Sequence, residues 1–219
     1  MDAEFWHERW RTGQIGFHQA AVNPLLVKHW PALGMPEAAT VFVPLSGKSL
    51  DLVWIRERGH PVVGVELSVL AVQEFFETWG KGPTVAEVPG RRLTRWEADG
   101  IRLFVGDFFD LRAEDLADVK GVYDRAALVA LPPDLRRAYA KALTENLPPS
   151  VVMLLLCFEA RPENDGGPPF AFGEAEVRAL YEPAFSVTLL ERGPFAEPPA
   201  AARARGVEAF RDVVYVLGK

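Results

Sequence analysis

The chain predicts an α/β domain built on a mostly parallel sheet, and three observations support that reading. Thr40-Val41-Phe42-Val43-Pro44-Leu45 is an apolar run that breaks into Ser46-Gly47-Lys48-Ser49, a turn with a single glycine. An amphipathic segment follows, and a second apolar run, Pro61-Val62-Val63-Gly64-Val65, ends in Glu66, giving strand, ligand-facing turn, helix and strand. Further on, Val151 to Phe158 is unbroken and apolar, as a central strand covered on both faces must be.

The elements follow in order. Trp6 and Trp10 lie four apart, on one face of an opening helix that Gly13 and Gly16 end, and Phe17-His18-Gln19 comes next. Pro24 to Trp30 forms a second short helix with proline in its first turn. Both precede the first strand, so residues 1–35 read as a helical cap on the sheet. After the glycine turn, Leu50, Val53 and Trp54 make a helical stripe closed by Gly59, and Val62 to Leu67 is the second strand. Val69, Val72, Phe76 and Trp79 mark the next helix, with Ser68 as N-cap and Gly80 as C-cap. Lys81 to Gly100 is punctuated by Pro and Gly; Arg92 to Trp96 and Ile101 to Val105 pair as a hairpin through Ala98-Asp99-Gly100.

Gly121 to Asp124 is a short strand, and Pro133 to Leu147 a helix that Pro148-Pro149 stops. Arg161 to Phe172 is a Pro/Gly-rich loop and Gly173 to Tyr181 a helix. Phe185 to Leu190 and Val213 to Leu217 are the last strands, antiparallel because no helix-length apolar segment separates them. The pattern therefore predicts seven strands in one mostly parallel sheet with helices on both faces, and residues 1–219 as a single domain.

Composition excludes several classes. With 219 residues, 49% hydrophobic and 25% charged, the chain can bury a large core and is not disordered. A net charge of -6, with Lys and Arg interspersed among acids, offers no footprint for nucleic acid. One cysteine, Cys157, cannot form an internal disulfide and reads as a small core residue. The opening Met-Asp-Ala-Glu-Phe-Trp lacks the plan of a signal peptide, and the longest apolar run is too short to span a bilayer. A cytoplasmic protein with no membrane partner is expected. The absence of a heptad or an exposed apolar strip predicts a monomer. His7, His18, His29 and His60 show no ligand spacing, so no metal is expected.

Three classes of ligand use such an opening, and spacing separates them. A P-loop needs Gly-x-x-x-x-Gly-Lys-Ser/Thr; Gly47-Lys48-Ser49 supplies the tail, but Phe42 stands where the first glycine belongs. A dinucleotide site wants Gly-x-Gly-x-x-Gly, and this turn holds one glycine. The remaining class is S-adenosylmethionine, which carries ribose and adenine without phosphate. It needs one close backbone approach, at Leu45-Ser46-Gly47, and an acid ending the second strand for the ribose hydroxyls. Glu66, 19 residues after Gly47, suits that role, with a solvated strand-end acid as the alternative. Asp107 ends a later strand on the same edge and could take the adenine amino group, with Phe108 on the ring face; capping a helix is the other use of such an aspartate. Arg125, after Tyr123-Asp124, lies on that edge too, with an ordinary salt bridge as its alternative.

Phe5-Trp6-x-x-x-Trp10, Gly16-Phe17-His18-Gln19, Val43-Pro44-Leu45-Ser46-Gly47-Lys48-Ser49, Gly59-His60-x-Val62-Val63-Gly64-Val65-Glu66-Leu67-Ser68, Gly106-Asp107-Phe108-Phe109, Tyr123-Asp124-Arg125-Ala126-Ala127-Leu128 and Gly167-Pro168-Pro169-Phe170 together resemble the thiopurine S-methyltransferase family, its bacterial branch especially. The resemblance covers nearly the whole chain. It implies a Rossmann-like class I methyltransferase fold and an enzyme that transfers a methyl group from S-adenosylmethionine to the sulfur of thiopurines and small aromatic thiols, with selenium or tellurium compounds as further acceptors. Carried over by position, it implies that Trp10, Leu45, Glu66 and Arg125 contact the cofactor, with Trp10 closing over its methionine end. Phe17, His18, Pro169, Phe170, Arg203 and Arg205 would line the acceptor pocket. One departure is visible: Ser46 stands where the family usually has Cys.

An aromatic thiol is largely ionised near neutral pH, so positioning and exclusion of water should supply most of the acceleration. Arg125 or Arg205 would favour the anionic acceptor. His18 is either a proton acceptor or a structural histidine. Two other readings compete: methylation of halide or thiocyanate on the same fold, and a non-catalytic sensor of S-adenosylmethionine.

Overall fold

The computed structural model describes residues 3–162, 166–198 and 200–219. Met1 and Asp2 of the cap, residues 163–165 of the Arg161–Phe172 loop and Pro199 lie outside the described residues. Strands β1 (Thr40–Val43), β2 (Val62–Glu66), β3 (Thr84–Glu87), β4 (Thr94–Ala98), β5 (Ile101–Val105), β6 (Val119–Arg125), β7 (Val152–Arg161), β8 (Ser186–Arg192) and β9 (Ala209–Gly218) form one sheet. Their order is β3-β4-β5-β2-β1-β6-β7-β9-β8. Five neighbours, β5, β2, β1, β6 and β7, run parallel. From β1 the chain turns one way to β2 and later the other way to β6, so the topological switch point lies between β1 and β6, beside the glycine turn.

The expected seven strands become nine. The first arm of the hairpin, β4, and the short β3 extend the edge beyond β5, both by antiparallel pairing. β3 escapes pattern reading because all four of its residues are exposed, so no alternation betrays it. The hairpin turn is Asp99-Gly100, both at positive φ, as a type I′ connection requires. At the other edge β8 and β9 pair antiparallel as expected. β9 also inserts between β7 and β8 and runs ten residues against β7, well beyond the expected Val213 to Leu217.

Two cores cover the sheet, and period-two alternation assigns residues to them. Val41 and Val43 of β1, Ile101 and Leu103 of β5, and Leu154 and Leu156 of β7 face one side. There they meet α2 (Pro24–His29), α3 (Asp51–Glu57) and α4 (Val69–Trp79) through Leu26, Leu52, Ile55, Val72 and Phe76. Phe42, Val63, Phe104, Val122, Met153, Leu155, Cys157, Val213 and Tyr215 face the other side. They pack on α5 (Pro133–Asn146) and α6 (Glu174–Tyr181) through Tyr139, Leu143, Val177 and Tyr181. The cap begins with α1 (Ala3–Arg11), and a short α7 (Ala200–Arg203) precedes β9. Among the described residues no helix is long and apolar enough to cross a membrane.

Buried polar contacts tie these layers together. Asp51, 1% exposed, accepts from the Tyr123 hydroxyl at 3.0 Å and from the Asn23 amide at 2.8 Å, joining cap, α3 and β6. His60 bonds the Ala39 carbonyl at 2.8 Å and packs against Trp30, a structural role. Arg136 is buried: its guanidinium donates to the Leu131 carbonyl, pairs with Glu176 at 2.5 Å and lies 4.1 Å from the centre of the Phe172 ring.

The Arg136 side chain is 2% exposed and that of Glu176 37%, so removing Glu176 leaves a buried cation that keeps only the Leu131 carbonyl as a hydrogen-bond acceptor. Glu176→Ala is expected to destabilise the protein by about 1–2 kcal/mol in urea unfolding, and the double variant Arg136→Met/Glu176→Ala by less than Glu176→Ala alone. A double variant worse than the single would show that the aromatic contacts of Arg136, rather than its charge, dominate.

Candidate active site

The glycine turn leaves β1 in a conformation most side chains avoid: Leu45 has φ 45° and Gly47 φ 54°. Two sets of bonds stabilise it. The Ser46 amide donates to the Val65 carbonyl at 3.0 Å, and the Gly47 amide donates to Glu66 Oε2 at 2.8 Å. The other carboxylate oxygen of Glu66 accepts from the Ser68 amide at 2.8 Å, where Ser68 caps α4. Glu66 is thus not a solvated strand-end acid; it is 7% exposed. Burial pushes its carboxyl above the usual range, against the opposing pull of the Ser68, Gly47 and Leu67 amides.

The cap closes over this turn. Trp10, 6% exposed, places two ring carbons 3.4 and 3.7 Å from where a Cβ on Gly47 would stand, so the glycine makes room for the indole. Phe17 packs edge-on against both Trp10 and Trp6. Its carbonyl accepts from Arg125 at 3.4 Å, which brings the end of β6 to the same place. Lys48, ion-paired with Glu74 at 2.7 Å, holds its ammonium 6.0 Å from the centre of the Trp10 ring. The sequence marked Lys48 only as the tail of a failed phosphate loop; nothing in its spacing shows that α4 supplies its partner. His18 stands nearby, its imidazole shifted downward by burial and then by the positive charges of Lys48 and Arg125, with Glu74 opposing. A neutral imidazole follows, able to accept a proton.

Asp107 caps a turn after β5. Its carboxylate accepts from the Phe109 amide at 2.9 Å and caps the short turn Phe108–Asp110. Phe108 is buried against the Tyr139 ring, centroids 4.7 Å apart, whereas Phe109 is 44% exposed.

The residues expected around the acceptor divide between two hollows. Pro169 lines an apolar pocket of about 40 Å³ with Phe158, Ala160, Ala202, Val207 and Phe210. Phe170 is buried beside it, its amide donating to the Val129 carbonyl at 2.7 Å. Arg203 ends α7 and pairs with Glu197, and Arg205 lies in the turn that follows. His18 and Lys48 instead open onto a cleft of about 540 Å³ whose far walls are Trp54, Phe75 and Trp79, between α3 and α4.

Asp124, next to Arg125, could not be singled out from sequence because burial is invisible there. It is 0% exposed and accepts from the Tyr139 hydroxyl at 2.7 Å and the Leu128 amide at 3.3 Å. Burial pushes its carboxyl up to about 6, with Tyr139 and the Leu128 and Ala127 amides pulling the other way. Ser46 Oγ is buried without a hydrogen-bond partner, on the side facing Gly64.

The residues around the glycine turn could hold a nucleoside bearing a sulfonium: a cradle shaped by glycine under an indole, with a buried carboxylate beside it and a single glycine in the turn. Comparisons point the same way. The thiopurine S-methyltransferase family model matches residues 1–219. A thiopurine S-methyltransferase of Nitrosospira multiformis is 44% identical over 217 residues, 99% of this chain and 98% of that one. One from Pseudomonas entomophila is 48% identical over 179 residues, 82% of each chain. Among solved structures, Burkholderia thailandensis 1,6-didemethyltoxoflavin-N1-methyltransferase, with bound 1,6-didemethyltoxoflavin and S-adenosylhomocysteine, matches with TM-score 0.67 and 19% identity over 99% of this chain and 86% of that chain. An S-adenosylmethionine-dependent methyltransferase of Anabaena variabilis gives TM-score 0.63 at 12% identity, covering 99% of this chain and 94% of that one. These structural likenesses concern the fold, which is that of the class I methyltransferases.

Two stability predictions follow from the buried groups. Since the folded Asp124 titrates near 6 against an ordinary 3.8, the unfolded chain ionises first as pH rises. Its contribution is therefore fully present below about pH 4 and lost by about pH 6, at most about 3 kcal/mol. Asp124→Asn should flatten that part of the stability profile measured by urea unfolding between pH 4 and 7, and an unchanged slope would assign it elsewhere. Ser46→Ala removes an orphaned hydroxyl and should raise stability by about 1 kcal/mol in thermal melts; a drop instead would mean that the hydroxyl has a partner.

Proposed function

The chain belongs to the thiopurine S-methyltransferase family and is an S-adenosylmethionine-dependent methyltransferase, and on that premise we propose how its residues divide between donor and acceptor. One observation supports the division above all: the buried Glu66 carboxylate is fixed by the Gly47 and Ser68 amides at the edge of the sheet where open α/β folds take their ligands. Each of its oxygens accepts one bond and keeps a lone pair for a ribose hydroxyl. Leu45 and Gly47 give the close backbone approach, and Asp107 and Phe108 border the adenine end. Trp10 covers the methionine end; an indole that already tolerates an ammonium beside its ring suits a sulfonium.

The cofactor supplies a methyl group made electrophilic by its sulfonium, which a thiolate takes in line. This chain's residues do the rest. Trp10 and Phe17, packed edge to face, exclude water from the reacting atoms. Arg125, placed by the Phe17 carbonyl, stabilises the anionic form of the acceptor, and Arg205 would add to that field. His18, neutral between two cations, can take the thiol proton. Pro169 and Phe170 with Arg203 border the acceptor, and the apolar character of the wall beside Pro169 favours soft, polarisable sulfur over a hard oxygen nucleophile. In this reading residues 1–219 act as one methyltransferase domain with 1–35 as its cap, a cytoplasmic monomer.

The test is methyl transfer from labelled S-adenosylmethionine to a thiopurine or an aromatic thiol, run beside Glu66→Ala. Losing two charge-assisted bonds should weaken S-adenosylhomocysteine binding about tenfold to a hundredfold by titration calorimetry, with turnover falling in parallel at limiting cofactor. Unchanged affinity in the variant would remove Glu66 from the donor site.

A further inference from the structure

The groups that hold Asp124 lead away from the donor and toward the acceptor. Its Oδ1 accepts from the Leu128 amide at 3.3 Å and its Oδ2 from the Tyr139 hydroxyl at 2.7 Å. Leu128 belongs to the tight turn Leu128–Ala130 that follows Arg125, closed by the Ala130 amide on the Ala127 carbonyl at 3.0 Å. In that turn the Val129 carbonyl accepts the Phe170 amide at 2.7 Å, which ties the turn to the segment 166–172. The same segment is held from its far side by the Phe172 amide on the Phe158 carbonyl at 3.0 Å, and from above by Arg136 over Phe172. Arg136 in turn donates to the Leu131 carbonyl, one residue past the turn. Asp124 is therefore the buried anchor of a chain of contacts that ends on Pro169 and Phe170.

We propose that Asp124 is a positioning residue for the methyl acceptor: its carboxylate fixes the turn 127–130, and through the Val129 carbonyl that turn fixes the backbone of residues 166–172 against the acceptor site. The proposal rests on the reading that Pro169 and Phe170 border the acceptor. Asp124 touches neither donor nor acceptor; Arg125, its neighbour in sequence, faces the opposite side of the sheet with Tyr123 and is positioned by the Phe17 carbonyl instead.

Oδ1 accepts from Leu128 in either protonation state, and Tyr139, a donor and an acceptor alike, holds Oδ2 whether or not that oxygen carries a proton. Around it stand Tyr139 on α5, Tyr181 on α6, Cys157 on β7 and Tyr123 on its own strand; Arg136 and Glu176 lie one step further out, against Cys157. None of these supplies a cation in contact with Asp124, so burial sets its titration near 6.

The experiment uses the full chain and three forms: unmodified, Asp124→Asn and Tyr139→Phe. Amide hydrogen exchange of residues 166–172 is expected to speed up about tenfold in both variants, with the amides of β2 unchanged. The KM for an aromatic thiol should rise about fivefold to tenfold while S-adenosylhomocysteine affinity stays within about twofold. Unaltered exchange in both variants overturns the proposal, as does an equal loss of thiol and S-adenosylhomocysteine binding, which marks a general scaffold role. Faster exchange with an unchanged thiol KM strikes instead the reading that Pro169 and Phe170 border the acceptor, and with it the role given to Asp124. Should Asp124→Asn fail to fold, Tyr139→Phe, which keeps the ring and removes one bond, decides the matter alone.

Discussion

Burying the Glu66 carboxylate between the amides of Gly47 and Ser68 fixes two things at once, where the glycine turn sits and where α4 begins, and with them the sheet edge proposed for the donor. Burial of a carboxylate is costly, and two charge-assisted bonds of about 1.5–3 kcal/mol each offset it. They also compensate the positive φ of Leu45, which by itself costs about 1–2 kcal/mol. The Ser46–Val65 bond stitches the same turn to β2 a second time, so the backbone proposed to face the cofactor is held by the protein's own bonds. Preorganisation of this kind keeps the cost of ordering out of the binding step.

On the other side of the switch point the architecture changes character. β7 and β9 pair over ten residues and run on past the parallel strands, carrying Phe158, Ala160 and Phe210 to the small hollow beside Pro169. The segment after β8 is pinned there by Phe195, whose ring lies between Arg161 at 3.9 Å and Arg211 at 4.3 Å. Arg211 and Arg192 share Glu159, and Arg192 and Arg178 share Glu174, so a line of alternating charges runs from α6 across the sheet to that ring. Single surface pairs contribute little, but a connected set sharing partners orders several long side chains at once. The half proposed for the donor is thus held by backbone amides and one buried acid, the half proposed for the acceptor by side chains from distant elements.

Much of this was legible in the residues. The apolar run with its glycine turn, the acid 19 residues on, and the Ser68 and Gly80 caps were read as they stand, because each depends on contacts within a few residues or on a fixed βαβ repeat. Glu66 stands at the end of β2 as the spacing expects, and its burial has no signal in the sequence. The edge strand β3 escapes the pattern because a fully exposed strand has no alternation. His18 and Pro169, grouped as acceptor residues, open onto different hollows.

Sequence by itself determined the class of fold and the order of strand, glycine turn, helix and strand ending in Glu66, since glycine conformation, strand alternation and capping are properties of neighbouring residues. Tertiary structure alone decided that β9 lies between β7 and β8, that Trp10 covers Gly47, that Lys48 finds Glu74, and that Asp124 is buried under Tyr139 with its carboxyl pushed up to about 6. Each of those depends on groups far apart in the chain meeting across a desolvated contact, and desolvation has no local signature: the same aspartate on an exposed strand end would titrate like any other.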